Sequence, residues 1–382
     1  MQIKSKLPHL GTTIFTTMSA EAVKHGALNL GQGFPSFPVD PLWGDLMKKH
    51  IDAGRNQYAP MQGLPELRKA LAEKVNTAYG SSIDPNAEVT ITAGATQAIF
   101  TAISAFVHSG DEVILFAPAY DCYAPAVEML GAKAVWVELR YPDYRIPWDE
   151  VRAKFNERTA MIVLNHPHNP SGAGVEESDM QSLIALTQDT NCIVLSDEVY
   201  EHILFDGRSH FSVLRYPELR ERALSVFSFG KTFHLTGWKM GYIMGDAALM
   251  HEFRKVHQYN VFCCNTPAQW AMTEYLEDPK HYLDLPYFYQ EKRDRFNQLL
   301  SGSGFDIVPS AGTYFQLLNY SHLTNASDVE VAMEWTAKYQ ITAIPCSVFY
   351  PSMADDKVLR FCFAKDDATL VRAAEILCSI TA

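Results

Sequence analysis

With 382 residues the chain is long enough for two or more domains and a large core, and its 47% hydrophobic and 20% charged content is that of an ordinary globular protein. A net charge of −12 without any Lys/Arg-rich block argues against nucleic acid or an anionic membrane surface as a partner. No apolar run has the length of a transmembrane helix and no signal-peptide-like stretch opens the chain, so a cytoplasmic protein with no membrane partner is expected.

Residues 1–40 carry no long periodic segment; a short helix is predicted over 18–25 and a short strand over 28–30. Gly31-Gln32-Gly33-Phe34-Pro35 is a turn whose two glycines let backbone approach a ligand closely, although a plain connecting turn reads as well. Asn56-Gln57-Tyr58-Ala59-Pro60 precedes a helix predicted over 65–79, with Pro65 at its start and Leu64, Leu67 and Leu71 on one face. The β-branched strand 89–92 runs through Ala93-Gly94-Ala95-Thr96-Gln97 into an apolar helix over 98–107. Strand, small-residue turn and helix present free amide groups to an anion such as a phosphate, and Thr96 adds a hydroxyl.

Further buried strands are predicted over 113–117, 134–139, 160–165 and 192–196, with a short helix from 151 to 155. Continuous apolar strands fit a parallel sheet covered on both faces. The first of them ends near Tyr120, an aromatic placed to lie on a heteroaromatic ring or simply on the rim of the core. The third ends in Asn165-His166-Pro167-His168-Asn169-Pro170, whose two prolines suit a loop better than a metal site. No metal is expected, since none of the thirteen histidines forms a His-Glu-x-x-His. The fourth delivers Asp197-Glu198-Val199-Tyr200; a carboxylate buried there needs a positive partner, whereas Glu198 reads as structural.

The strand predicted over 224–229 runs into a glycine-containing turn that carries Lys231. An amine at the mouth of an apolar strand is partly desolvated, which favours its neutral, nucleophilic form towards an aldehyde. Ser228 and Lys239 flank it and can reach an anion, and an aldehyde that also bears a phosphate describes pyridoxal phosphate. After the apolar run 241–245 a helix is predicted over 250–261, with Arg254 and Lys255 on its solvated face, and residues 268–300 are largely helical. Strands are predicted over 312–318 and 358–364. Arg360 lies inside the second of these, where a buried guanidinium needs an anion: a ligand carboxylate or an internal salt bridge. The seven cysteines, scattered apart from Cys263-Cys264 and without a Cys-x-x-Cys, read as reduced thiols.

Ser228-x-x-Lys231 with Lys239 eight residues on, together with Asn165-His166-Pro167-His168-Asn169-Pro170-Ser171-Gly172 and Ser196-Asp197-Glu198-Val199-Tyr200, resembles the class I/II aminotransferases of the aspartate aminotransferase fold. His166 is an insertion at a position that the family varies, and Lys239 stands where many relatives carry arginine. Gln57-Tyr58-Ala59-Pro60, 196–202 and Arg254-Lys255-Val256-His257-Gln258 most resemble the kynurenine, glutamine and methionine branch.

The resemblance covers essentially the whole chain. It implies an α/β protein of the pyridoxal-phosphate-dependent transferase fold type I. Residues 1–40 are then an N-terminal arm with part of a small domain, 41–284 a large cofactor domain with a mostly parallel sheet, and 285–382 a small α+β domain. It implies pyridoxal 5′-phosphate as cofactor, with Lys231 as the Schiff-base lysine and proton carrier. Gly94, Ala95, Thr96, Ser228 and Lys239 would serve the phosphate and Tyr120 would stack on the ring. Asp197 would pair with the ring nitrogen, and Asn169 and Tyr200 would hydrogen-bond the 3′-oxygen. Arg360, Gly33 and Asn169 would receive the substrate carboxylate, and Tyr58 would reach the neighbouring site of a homodimer.

Phe15, Tyr58, Tyr123, Phe262 and Tyr314 are candidates for an apolar, aromatic-lined substrate pocket suited to methionine, aromatic amino acids or glutamine, with Phe15 and Tyr123 touching the substrate. The reaction expected is ping-pong transfer of an amino group from an L-amino acid to a 2-oxo acid. A β-eliminating lyase of cysteine-conjugate or cystathionine type on the same fold is the alternative. A non-catalytic regulator is disfavoured because no basic DNA-binding extension precedes residue 30.

Overall fold

The computed structural model describes residues 3–381; the first two residues of the expected arm and the last of the expected small domain lie outside that range. The strands, in chain order, are β1 (Leu28–Asn29), β2 (Val89–Thr92), β3 (Glu112–Ala117), β4 (Lys133–Glu138), β5 (Thr159–Asn165), β6 (Ile193–Asp197), β7 (Ala223–Ser228), β8 (Gly241–Gly245), β9 (Asp306–Ile307), β10 (Phe315–Asn319), β11 (Ile341–Thr342), β12 (Ile344–Pro345) and β13 (Val358–Cys362).

β2 to β8 form one seven-stranded sheet in the order β2-β8-β7-β6-β5-β3-β4. The pairs from β7 through β6, β5 and β3 to β4 are parallel, and β8 runs antiparallel to both β7 and β2. β2 and β3 are buried at every position and β5, β6 and β7 at nearly all, because helices cover both faces and no polar face is needed. From β3 the chain steps outward to β4 and then returns to β5 on the other side. That reversal opens a crevice beyond the C-terminal ends of β3 and β5, the place where open α/β sheets take ligands.

The later residues build a second, antiparallel sheet in the order β12-β13-β10-β9. β1 pairs in parallel with β11, Leu28 opposite Ile341, so the N-terminal segment joins this part of the molecule. Met18 and Leu30 accordingly share one apolar cluster with Trp335, Phe361 and Leu377.

Several helices begin where their sequences stop the extended chain. Asp40 caps Pro41–Asp52 at the amide of Leu42, with Pro41 already at a helical φ. Ser327 and Glu330 form a reciprocal capping box on Asp328–Lys338. The predicted solvated pair divides. Lys255 stays on the surface beside Glu252, but Arg254 turns inward to Thr90 Oγ1 (2.9 Å) and the Val89 carbonyl (2.6 Å), pinning Ala247–Asn260 to the edge strand β2. A helix face that looks uniformly charged conceals this, since arginine can bury its stem and still spend its donors on backbone oxygens.

Glu198 is fully buried and accepts from His210 Nε2 at 2.7 Å, with Ser225 Oγ at 3.2 Å. Behind it Lys74 and Glu201 form a buried ion pair at 2.7 Å, backed by the hydroxyl of Tyr79 at 2.6 Å. Among the described residues, no helix is long and apolar enough to cross a membrane, and no cluster of His, Cys, Asp or Glu could hold a metal.

Candidate active site

Lys231 sits on a single helical turn, Phe229–Thr232, directly after β7, and residues 233–240 then lead the chain back into the antiparallel β8. Its Nζ hydrogen-bonds the Tyr314 hydroxyl at 3.0 Å and donates to the Gly33 carbonyl at 3.3 Å. Burial pushes this amine down to about 8, with Arg360 and Lys239 adding to the effect and Cys362 and Asp197 opposing it. The nitrogen faces a cavity of about 190 Å³ whose walls include Thr96, Tyr120, Asn169, Asp197, Tyr200 and Lys239. A larger cavity of about 380 Å³ shares Tyr123 and Asn165 with it but contains no lysine.

At one end of the smaller cavity stands the N-terminus of the helix Ala95–Phe106. Gly94 precedes it at φ 79°, a left-handed conformation that glycine adopts without strain, and no side chain caps the helix. The first amides are thus free beside Thr96, Ser228 and Lys239, which also line the cavity. At the other end, Asp197 closes β6. Burial pushes its carboxyl up to about 6, while hydrogen bonds from the Tyr123 hydroxyl and the Val199 amide, and the charge of Lys231, pull it back.

Asn165, in register with Asp197 across β5 and β6, donates to the Asp197 carbonyl (3.0 Å) and accepts from the Asn169 amide (2.8 Å). It ties the 166–172 loop to the carboxylate strand. Both residues are the polar terminus of an apolar parallel strand, and that pattern is the signal by which Asn165 is recognisable.

Arg360 is 1% exposed in the middle of β13, paired with Leu317 and Ile344. Nη1 donates to Asn169 Oδ1 (2.9 Å) and Nη2 to the Gly31 carbonyl (3.0 Å), and Nε has no partner among the described residues. The guanidinium lies 4.0 Å from the Phe315 ring centre and 5.2 Å from that of Phe15, which in turn sits 5.7 Å from Phe349. Gly33 is pressed on the same Phe315 ring: a Cβ there would meet Phe315 Cζ at 2.8 Å. Two neutral acceptors do not neutralise a buried guanidinium, which leaves its charge without an anionic partner among the described residues. Because Asn169 spends its oxygen on Arg360, its amide hydrogens remain available to an acceptor in the cavity.

The structure therefore gathers Gly94, Ala95, Thr96, Tyr120, Asn169, Asp197, Tyr200, Ser228, Lys231 and Lys239 around one cavity, with Gly33 on Lys231 and Arg360 on Asn169. Tyr123 has a different setting from the one expected. It is 3% exposed and its hydroxyl donates to Asp197 Oδ2 at 2.5 Å, so it serves the carboxylate rather than an apolar side-chain pocket. Tyr58 lies apart, 81% exposed, with the Phe262 ring 5.3 Å away. Tyr314, expected in an apolar side-chain pocket, is fully buried and turns its hydroxyl to Lys231 Nζ (3.0 Å) and the Gly33 carbonyl (2.7 Å), a contact for which an aromatic in a strand gives no sequence signal.

An open, mostly parallel sheet with a desolvated lysine and a buried carboxylate at its C-terminal edge has the aspartate aminotransferase-like architecture. The chain belongs to the class I and II aminotransferases, whose family model matches residues 26–377. It is similar to the methionine aminotransferase of Escherichia coli (strain K12), 47% identical over 375 residues that span 98% of this chain and 97% of that one. It is also similar to kynurenine–oxoglutarate transaminase 1 of Mus musculus, 35% identical over 96% of this chain and 94% of the relative. An Escherichia coli protein whose crystal structure and reactivity identify a methionine aminotransferase function superposes with a TM-score of 0.97 at 47% identity, over 99% of both chains. This chain is an aminotransferase: an enzyme that moves an amino group from an amino acid to a 2-oxo acid.

Proposed function

We propose that the cavity beside Lys231 holds pyridoxal 5′-phosphate and that methionine, an aromatic amino acid or glutamine is the favoured donor. The observation that carries this reading is the buried Lys231 amine, held near neutrality between the free amides at Ala95 and the Asp197 carboxylate. The residues present fit the group. Ala95, Thr96, Ser228 and Lys239 would hold the phosphate, Tyr120 the face of the ring, Asp197 its nitrogen, Asn169 and Tyr200 its 3′-oxygen, and Lys231 its aldehyde carbon. When bound, this cofactor accepts the amino group and the electrons of the breaking Cα–H bond.

The protein's own side chains do the rest. Arg360 grips the α-carboxylate, with Gly33 and Asn169 beside it, and so fixes which bond at Cα faces Lys231. Lys231 Nζ, free once the substrate's amino group has taken its place, would take the Cα proton and deliver it to the cofactor's aldehyde carbon in the same half-reaction, and carry a proton the other way in the second. Asp197, steadied by Tyr123, keeps a negative charge opposite the ring nitrogen. Phe15 and Phe349 next to Arg360 offer an apolar, polarisable wall, which suits a thioether or an aromatic side chain.

The exposed Tyr58–Phe262 pair supports a homodimer in which Tyr58 of a second copy completes the phosphate site. Seven free cysteines agree with a reducing, cytoplasmic setting.

The amine sets a pH dependence. Its pKa lies near 8, so protonated Lys231 is unreactive below that pH and the free amine accumulates as pH rises through it. The rate at which cofactor-free protein takes up pyridoxal 5′-phosphate, followed by visible absorbance, should therefore rise with a midpoint near pH 8. A midpoint near the ordinary lysine value of about 10.4 contradicts the site geometry.

The donor assignment is tested with a panel of amino acids and one 2-oxo acid. Methionine, phenylalanine and glutamine should outpace aspartate, with one new amino acid formed per donor consumed. Aspartate as the best donor overturns the assignment, and pyruvate with ammonia as the main products from a cysteine conjugate favours the lyase.

A further inference from the structure

The loop 31–36 meets the site through the Gly33 carbonyl on Lys231 and is held largely by side chains and backbone of residues 360–366. Three of its carbonyls accept from cationic side chains: Gly31 from Arg360 Nη2 (3.0 Å), Gly33 from Lys231 Nζ (3.3 Å) and Phe34 from Lys365 Nζ (3.0 Å). The Tyr314 hydroxyl shares the Gly33 carbonyl at 2.7 Å. The Ser36 amide donates to the Ala364 carbonyl at 3.0 Å, and the Cys362 amide donates to that of Leu30 at 2.7 Å.

Two of those three cations have a second task. Arg360 shares its donors with a carboxylate, and Lys231 gives up its bond to Gly33 whenever its nitrogen is engaged in the chemistry. Lys365 has no such task. It is 4% exposed, and the Phe34 carbonyl is the one hydrogen-bond acceptor it has among the described residues. The neighbouring Asp366 carboxylate is spent on Ser36 and on the first turn of the helix Asp367–Cys378. An ammonium this buried without a carboxylate is costly, and what it gains is the carbonyl and the Phe34 ring, whose centre lies 4.9 Å away.

We propose that Lys365 is a positioning residue for the amino-acid carboxylate. Its ammonium keeps the loop 31–36 seated at Phe34 while Lys231 changes partners, so that the Gly31 carbonyl goes on orienting Arg360. Lys365 touches neither substrate nor reacting atoms and acts through the loop. The proposal rests on Arg360 as the carboxylate anchor. Loss of an orienting contact on the anchor weakens ground state and transition state alike, which raises KM and spares kcat.

The test compares wild-type holoenzyme with Lys365→Met and Lys365→Arg. It measures steady-state kinetics with methionine and with phenylalanine, calorimetric binding of 4-(methylthio)butanoate, a carboxylate with no amino group to transfer, and hydrogen exchange of residues 30–37. Lys365→Met should raise KM for both donors by one common factor of about tenfold, with kcat held within about twofold. It should weaken 4-(methylthio)butanoate by the same factor and speed exchange in 30–37, and Lys365→Arg should restore all three.

An unchanged KM, a fall in kcat at constant KM, or faster exchange spread over the whole second sheet overturns the proposal. Wild-type enzyme that does not bind 4-(methylthio)butanoate refutes Arg360 as anchor and takes the proposal with it. Normal binding that Lys365→Met leaves unaltered refutes the role of Lys365 alone.

Discussion

Lys231→Ala removes transamination altogether while leaving a folded protein. The side chain lies in a cavity rather than in packed core, so its loss opens no cavity that was not there, and the unfolding transition should stay close to that of wild type. What disappears is the one amine that combines reach, burial and a pKa near 8. On the proposed reading both the covalent attachment of the cofactor and the proton transfer at Cα fall on that nitrogen, so kcat should drop by more than about 10⁴-fold. Lys239 does not substitute, because it stands alongside Gly94 at the end of the cavity formed by the N-terminus of the helix Ala95–Phe106. Residual turnover within about tenfold of wild type, in a protein shown by mass to carry alanine, would place the chemistry on another residue.

The second large effect belongs to Arg360. Arg360→Met keeps much of the stem's volume against Phe315 and removes the charge, so Asn169 Oδ1 and the Gly31 carbonyl lose their donors. Two charge-assisted hydrogen bonds to a substrate carboxylate in a dry site correspond to a loss of about 10²- to 10³-fold in kcat/KM. The loss should be the same for every donor, since all share the α-carboxylate. Arg360→Lys should recover only part of it, because a point charge does not reproduce the planar fork. A loss that varies strongly with the donor's side chain would instead make Arg360 a side-chain contact.

Most strands of the large sheet are legible because they are short apolar or β-branched runs, buried on both faces and bounded by glycine, proline or charge; the edge strand β4 is only partly buried. Lys231, Asp197 and Arg360 were legible for the same reason in reverse: each is a charge set at the end or in the middle of such a run, where water is excluded and a partner is required. Of the helices Pro41–Asp52 and Glu177–Thr187, the first is obscured because Gly44 interrupts it, while the second does carry a helical signal, an apolar stripe at Met180, Leu183 and Ile184 behind a capping box of Glu176 and Asp179.

Of the two-residue strands, β1 falls within the strand expected over 28–30, whereas β9, β11 and β12 exist through tertiary pairing alone and have no local pattern to detect. Arg254 shows that a helix-face charge can be read with the wrong sign of burial, since only the docking of Ala247–Asn260 on β2 decides it. Tyr123 on Asp197 and the carbonyls of Gly31, Gly33 and Phe34 depend on side-chain direction and on main-chain atoms that every residue carries alike.

The most direct measurement reduces purified wild-type enzyme with borohydride, digests it and maps the modified peptide by mass spectrometry. Loss of the visible absorbance band together with a phosphopyridoxyl group on Lys231 is the result this site requires. A colourless enzyme that stays unmodified, or a label fixed on a different lysine, would contradict it.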